Sequence, residues 1–201
     1  MRNRCVLIVL LTGLYGCAAP INERVSSNYE RVGATAQARG DWDAARRAYA
    51  RSATNADLAG SNPQKRAVFH YEYGRSLGVT CFFDEAEREL NLAYDFDKQA
   101  GQPLYLSLVE LARLTLDQQK FPKAVLYFER ALPELDRASA AKEAPAAYAD
   151  ILDEYASALS GIGREQDSSA VTKRASELRG TNPKGFSITD RTPYGKHCTK
   201  P

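Results

Sequence analysis

Four stretches of the chain place apolar and small residues at helical spacing, each broken midway by turn residues. They read YERVGATAQARGDWDAARRAYARSA (29–53), HYEYGRSLGVTCFFDEAERELNLAY (70–94), LVELARLTLDQQKFPKAVLYFERAL (108–132) and LDEYASALSGIGREQDSSAVTKRAS (152–176). Each has a small or apolar first half, a turn, and a second half rich in alanine and aromatics. Each therefore predicts two helices folded into a hairpin. Ser26 and Ser27 are placed to cap a first helix running to about Arg39, after a tether over residues 18–25. Gly40-Asp41 turns the chain into a second helix over Trp42 to Asn55. Asn62-Pro63 is a cap followed by proline in the first turn, and predicts a third helix to about Val79. Asp84 opens the fourth, which ends near Gly101, and Pro103, Pro122 and Pro145 open the next three. Pro133, late in the sixth, is expected to kink or end it near Ala131. The seventh ends at Gly161-Ile162-Gly163, and the eighth runs from about Arg164 to Arg179 and stops at Gly180.

The residue sizes repeat as well as the turns. Gly33, Ala45 and Ser52 are small where Tyr29, Val32, Trp42 and Tyr49 are large. The second stretch sets Gly74, Ala86 and Ala93 against His70, Tyr73, Phe83 and Leu90, and the third sets Ala112, Ala124 and Ala131 against Leu108, Leu111, Phe121 and Phe128. Small residues let two helices approach, and the large residue of one helix fills the gap left on the other. This alternation resembles the tetratricopeptide repeat. The spacing of Ala45, Ala86, Ala124 and Ser168 exceeds the family's period of about 34 residues, which implies longer helices or loops between repeats. The fourth stretch keeps Ala156, Ser168 and Ala175 but has Glu165 and Thr172 where large residues belong, so it reads as a polar cap. A generic helical bundle with alanine-rich seams is the alternative.

The resemblance implies a right-handed α-solenoid whose concave groove is lined by the first helix of each hairpin. The inward positions are then Glu30, Arg31 and Gln37, followed by Tyr71, Glu72 and Arg75, and by Glu110, Arg113, Asp117, Asp153 and Glu154. Arg75 and Arg113 share the ninth position of adjacent repeats, in register to grip a carboxylate or the carbonyls of a peptide. The plain alternative pairs each with a nearby acid such as Glu72 or Glu110. Members that bind chaperones use a lysine and an asparagine where this chain has Glu30 and Ala34, so that clamp is absent.

Charge adds little to this picture. The formal net charge is +2, Arg2 and Arg4 account for it, and the remainder is balanced. Bulk electrostatics gives no support for nucleic-acid binding.

The N-terminus has a different character. Met1-Arg2-Asn3-Arg4 is basic, and Cys5 to Leu14 is an apolar run too short to span a bilayer comfortably, the pattern of an export signal. Leu14-Tyr15-Gly16-Cys17 then resembles a bacterial lipobox. The resemblance implies cleavage before Cys17 and lipid attachment to that residue. Ala18 in place of aspartate favours the outer membrane. A plain export signal beside a coincidental cysteine is the alternative.

With Cys5 removed and Cys17 lipidated, Cys81 and Cys198 remain, an even pair in an oxidising compartment. A disulfide between them is expected to pin the tail across the solenoid, and two free thiols or an intermolecular bond are the alternatives. The tail from Thr181 to Pro201 has three prolines, no helical period, and apolar anchors in Phe186, Ile188 and Tyr194. It reads as extended, either packed along the last helices or disordered.

No constellation for chemistry stands out. His70 sits at a helix-packing position, and His197 beside Cys198 lies in a terminal tail that offers no rigid pocket for a nucleophile. Metalloprotease, nucleophile-elbow, zinc-knuckle and phosphate-loop signatures are missing. The sequence thus predicts an all-α protein in four parts: a signal peptide (1–16), a lipidated tether (17–25), a solenoid of about four hairpins (26–180) and an extended tail (181–201). It predicts a non-enzymatic envelope lipoprotein without cofactor or metal. Its partners are a protein or peptide and, through Cys17, a membrane. Scaffolding or assembly is the first reading, and a periplasmic subunit holding peptide or glycan fragments the second.

Overall fold

A computed structural model describes residues 18–181 and 191–198. Cys17, the segment before it, and the tail anchors Phe186 and Ile188 lie outside them. Among the described residues there are nine helices and no strand: α1 (Ala18–Ala38), α2 (Trp42–Ala59), α3 (Pro63–Val79), α4 (Phe83–Ala100), α5 (Tyr105–Asp117), α6 (Phe121–Arg137), α7 (Ala140–Glu143), α8 (Pro145–Ser160) and α9 (Glu165–Thr181). Pairs α1–α2, α3–α4, α5–α6 and α8–α9 pack as antiparallel hairpins, and successive hairpins stack into a solenoid. Helix α5 also touches α3 and α8, so the first helices of repeats two to four form one continuous inner face.

The ends of these helices follow from local chemistry. Asp41 caps α2 by accepting a hydrogen bond from the Ala44 N–H at 2.9 Å. Asn62 does the same for Lys65 at 2.9 Å, with Pro63 behind it where a missing N–H costs nothing. Gly60 and Gly101 close α2 and α4 at φ 63° and 65°, left-handed backbone that favours glycine.

The size alternation becomes packing. A Cβ at Gly33 would lie 2.7 Å from the Tyr49 ring, and one at Gly74 would lie 2.8 Å from Leu90. Tyr49, Leu90 and Phe128 are buried at the equivalent position of three repeats, beside Ala45, Ala86 and Ala124. Helix α9 is the poor one, because Thr172 stands where these large residues do and only Ala175 buries an apolar side chain fully there.

Five expectations are corrected. Helix α1 begins at Ala18, so residues 18–25 are helical rather than a loop. Ser26 and Ser27 sit inside it, and both hydroxyls donate back to the Glu23 carbonyl, at 2.8 and 3.1 Å. Lys65 and Ser61 also bind the Glu23 carboxylate, which holds this extra length against the next hairpin. Pro133 does not end α6 near Ala131, because the helix runs on to Arg137. The turn beyond the proline is anchored by buried Leu135 and by Asp136, which accepts from Tyr148 at 2.7 Å and Arg174 at 3.0 Å. Gly180 lies within α9 instead of stopping it. The described part of the tail turns over residues 194–197 rather than running extended, and it packs across the inner face, reaching α3, α5 and α8, and not along α9.

Candidate functional site

The inner face carries a ladder of alternating charges. Arg75 on α3 pairs with Glu72 at 3.1 Å and approaches Glu110 on α5 at 3.9 Å. Glu110 pairs with Arg113 at 3.2 Å, and Arg113 with Glu154 on α8 at 2.8 Å. Glu154 then takes Arg191 of the tail at 2.9 Å, and Arg191 forks onto Asp117 at 2.9 and 2.6 Å. Helical spacing explains the order: Glu72–Arg75 and Glu110–Arg113 are i, i+3 pairs on neighbouring inner helices, so each turn hands its charge to the next.

Two rungs are deeply buried. Arg113 is 2 % exposed and Glu110 3 %. Burial opposes the charge on both arginines, but the carboxylates of Glu72 and Glu110 hold Arg75 above its ordinary pKa, and Glu154 and Glu110 do the same for Arg113. Burial raises the pKa of Glu72 against the pull of Arg75.

Residues 191–198 complete the ladder. The Tyr194 hydroxyl donates to Glu110 at 2.6 Å, and Thr192 accepts from the Arg75 guanidinium at 2.7 Å. Burial first, and the Glu110 charge second, push the Tyr194 phenol far above its ordinary pKa. The Tyr194 ring occupies the space that a side chain on Gly78 would need, since a Cβ there would meet it at 2.5 Å. The Gly195 and His197 N–H groups donate to the Gly78 and Val79 carbonyls at 3.2 and 3.4 Å. A disulfide joins Cys198 to Cys81, with Cα atoms 5.5 Å apart. Cys81 itself adopts φ 74°, left-handed backbone that favours glycine, at the turn between α3 and α4.

Beside the tail lies an open cavity of about 440 Å³. Tyr71, Tyr105, Val109, Tyr148 and Ile151 give it apolar walls, Arg75 and Arg113 border it, and the α6–α8 connection forms its rim. The Tyr71 phenol is raised above its usual pKa by burial and then by Glu110.

The nominated groove residues thus divide. Tyr71, Arg75, Glu110 and Arg113 converge on the cavity, with their guanidiniums already held by carboxylates of this chain. Asp117 is taken by Arg191. Asp153 pairs with Arg179 of α9 at 2.6 Å, outside the ladder. Glu30 is half-buried on α1, near enough for its charge to act on Glu72, and Gln37 is engaged by the Tyr49 hydroxyl at 2.9 Å. His70 is buried, with Glu89 at 2.5 Å, Asp57 at 3.3 Å and the Phe96 ring beside it. Among the described residues no cluster of His, Cys, Asp or Glu is arranged to hold a metal ion, and no helix is long and apolar enough to cross a membrane. Sequence reasoning missed Arg191 and Thr192 as groove residues. The available signal was their position a few residues before Cys198, once that cysteine is tied to Cys81.

No protein-family model matches the sequence, and a search of curated proteins finds no match either. Solved structures do match. BtubC (BKLC) from P. vanneervenii is similar at a TM-score of 0.74 and 16% identity, over 83% of this chain and 67% of that one. A putative kinesin light chain of Podosopora anserina with nearly identical TPR-like repeats is similar at 0.66 and 13% identity, over 80% of this chain and 77% of that one. At such identities the likeness is one of fold: this chain is an α-solenoid of tetratricopeptide-like helix hairpins.

Proposed function

We propose that the protein is a non-catalytic interaction module of the bacterial cell envelope, which takes a protein or peptide partner in its concave groove. The observation that carries this reading is that the groove already holds a stretch of polypeptide, the chain's own C-terminal segment. Residues 191–198 lie across α3, α5 and α8, bound through side chains and backbone alike. The adjoining cavity leaves apolar room for more. The lipobox-like Leu14-Tyr15-Gly16-Cys17 supports a lipid anchor at Cys17, and Ala18 supports the outer membrane, facing the periplasm. Assembly or scaffolding for pilus, secretion or cell-wall machinery fits such an anchored groove.

Crosslinking in intact envelopes, followed by capture of this protein, tests the reading. One stoichiometric protein partner supports it, and its absence overturns it. A second reading, a subunit that holds glycan or short peptide fragments, draws on the three tyrosines lining the cavity, whose rings suit stacking on a small ligand. Recovery of small ligands alone would support that instead. Palmitate labelling of wild type and Cys17→Ser tests the anchor, and equal labelling of the two refutes it.

A further inference from the structure

The segment in the groove does not look like an end cap. A cap covers the exposed flank of the last repeat, and α9 keeps nearly all of its side chains in contact with water. Residues 191–198 instead cross the inner face, and their side chains meet charges there. Arg191 satisfies Asp117 and Glu154, Thr192 satisfies Arg75, and Tyr194 reaches buried Glu110. With Arg191 withdrawn, Glu72, Glu110, Asp117 and Glu154 face only Arg75 and Arg113. The groove floor then carries excess negative charge and a slot over Gly78 shaped for an aromatic ring.

We propose that this seat is a recognition site for a turn-forming peptide carrying arginine and, three residues later, tyrosine, and that the chain's own copy, which turns over residues 194–197, closes it until the Cys81–Cys198 bond is reduced. The proposal rests on the interaction reading above and names both its partner chemistry and its control. The cross-link is placed for such control. Both cysteines are half-buried, so the bond is within reach of a reductant, and it joins the segment to the turn between α3 and α4. Cys81 is held in left-handed backbone, so the turn tolerates a strained residue at the point of attachment. A dithiol reductant breaks the S–S bond. Two electrons and two protons pass to Cys81 and Cys198 as thiols, and the reductant leaves as its own disulfide. Reduction turns a pinned segment into a tethered one. A tethered segment competes at an effective concentration of about millimolar, so an external peptide must match its contacts to displace it.

The test uses the full mature chain and a labelled peptide, Arg-Thr-Pro-Tyr-Gly-Lys-His-Ser, which copies residues 191–198 with serine for Cys198. A variant combining Arg191→Glu, Tyr194→Ala and Cys198→Ser unseats the chain's own segment and leaves the groove intact. Fluorescence anisotropy is expected to show this variant binding the peptide at least about tenfold more tightly than oxidised wild type. Replacing the peptide's tyrosine with alanine is expected to weaken binding by about tenfold or more, because a buried charged hydrogen bond is lost. Equal binding by variant and oxidised wild type, or indifference to the tyrosine, overturns the proposal. If circular dichroism shows the variant unfolded, hydrogen exchange on wild type decides. Reduction is expected to speed exchange at the Gly195 and His197 amides by about tenfold, and millimolar peptide to speed it further, with α5 amides unchanged. No change in either step refutes it. Failure here with an envelope partner still captured removes this site and leaves the interaction reading standing. Peptide binding without any captured partner does the reverse.

Discussion

Replacing Glu110 with glutamine cuts the charge ladder at its most buried rung. Glu110 is 3 % exposed and serves Arg113 at 3.2 Å, Tyr194 at 2.6 Å and Arg75 at 3.9 Å. Breaking a buried ion pair costs about 3–5 kcal/mol when the surviving charge is left alone. Here it is not alone. Arg113 keeps Glu154 at 2.8 Å, Arg75 keeps Glu72 at 3.1 Å, and the glutamine oxygen can still accept from Tyr194. The expected loss for Glu110→Gln is therefore about 2 kcal/mol, below that range. Arg113→Met should cost more, about 3 kcal/mol, since buried Glu110 then has only Arg75 at 3.9 Å, although Glu154 keeps Arg191 at 2.9 Å. Urea denaturation at neutral pH reads these as falls in midpoint of roughly 1 to 1.5 M, taking a slope of about 2 kcal/mol per M. The double variant should be less damaging than the sum, with a coupling of at least about 1 kcal/mol. Single losses below about 0.5 kcal/mol, the scale of an exposed pair, would refute the argument that this ladder is a desolvated network.

Gly33→Ala sets a helix-propensity gain of about 1 kcal/mol against a Cβ only 2.7 Å from a Tyr49 ring that its hydroxyl fixes to Gln37. A net loss of about 1 kcal/mol in thermal or urea unfolding is expected, and a stabilised variant would count against the close-packing account. Pro133→Ala restores a backbone N–H in an exposed stretch of α6 and is expected to raise stability by about 1–3 kcal/mol, measured the same way. Burial raises the Asp97 carboxyl to about 6, so its contribution is fully present below the unfolded value near 3.8 and is lost as pH rises through about 6. Relative to Asp97→Asn, wild type should gain roughly 1 kcal/mol between pH 7 and pH 4, after allowing for the water that reaches this half-buried group. A pH-independent difference between the two proteins would contradict the shift.

The hairpins were legible because their packing is local. Gly33 meets Tyr49 and Gly74 meets Leu90 within one repeat, so residue size at fixed spacing carried the signal. The inner-face positions of Tyr71, Arg75, Glu110 and Arg113 came instead from the resemblance to the repeat family, which implies which helix lines the groove. The start of α1 was not legible, because a serine serves equally well as a cap or as a donor to the preceding turn, and Ser26 does the second. Pro133 misled because a proline's local cost was offset by tertiary anchors at Leu135 and Asp136, which no local pattern displays. The polar occupants of the groove were hidden most completely. Tyr194 could be read as an apolar anchor and the cysteine pair tied the tail across the solenoid, but Arg191 and Thr192 meet their partners from the far end of the chain, and a contact over that distance leaves no period to read.

The bond between Cys81 and Cys198 also makes a covalent ring of everything between them, over a separation of 117 residues. Tension applied along the chain would pass through the sulfur atoms and leave α4 to α9 unloaded. Only α1 to α3 and the short terminal segments would bear force and extend. About 400 Å of extended chain would stay hidden from any pull, at roughly 3.4 Å per residue, until a reductant opened the ring. The same cross-link that seats the tail thus sets how far this protein can be stretched.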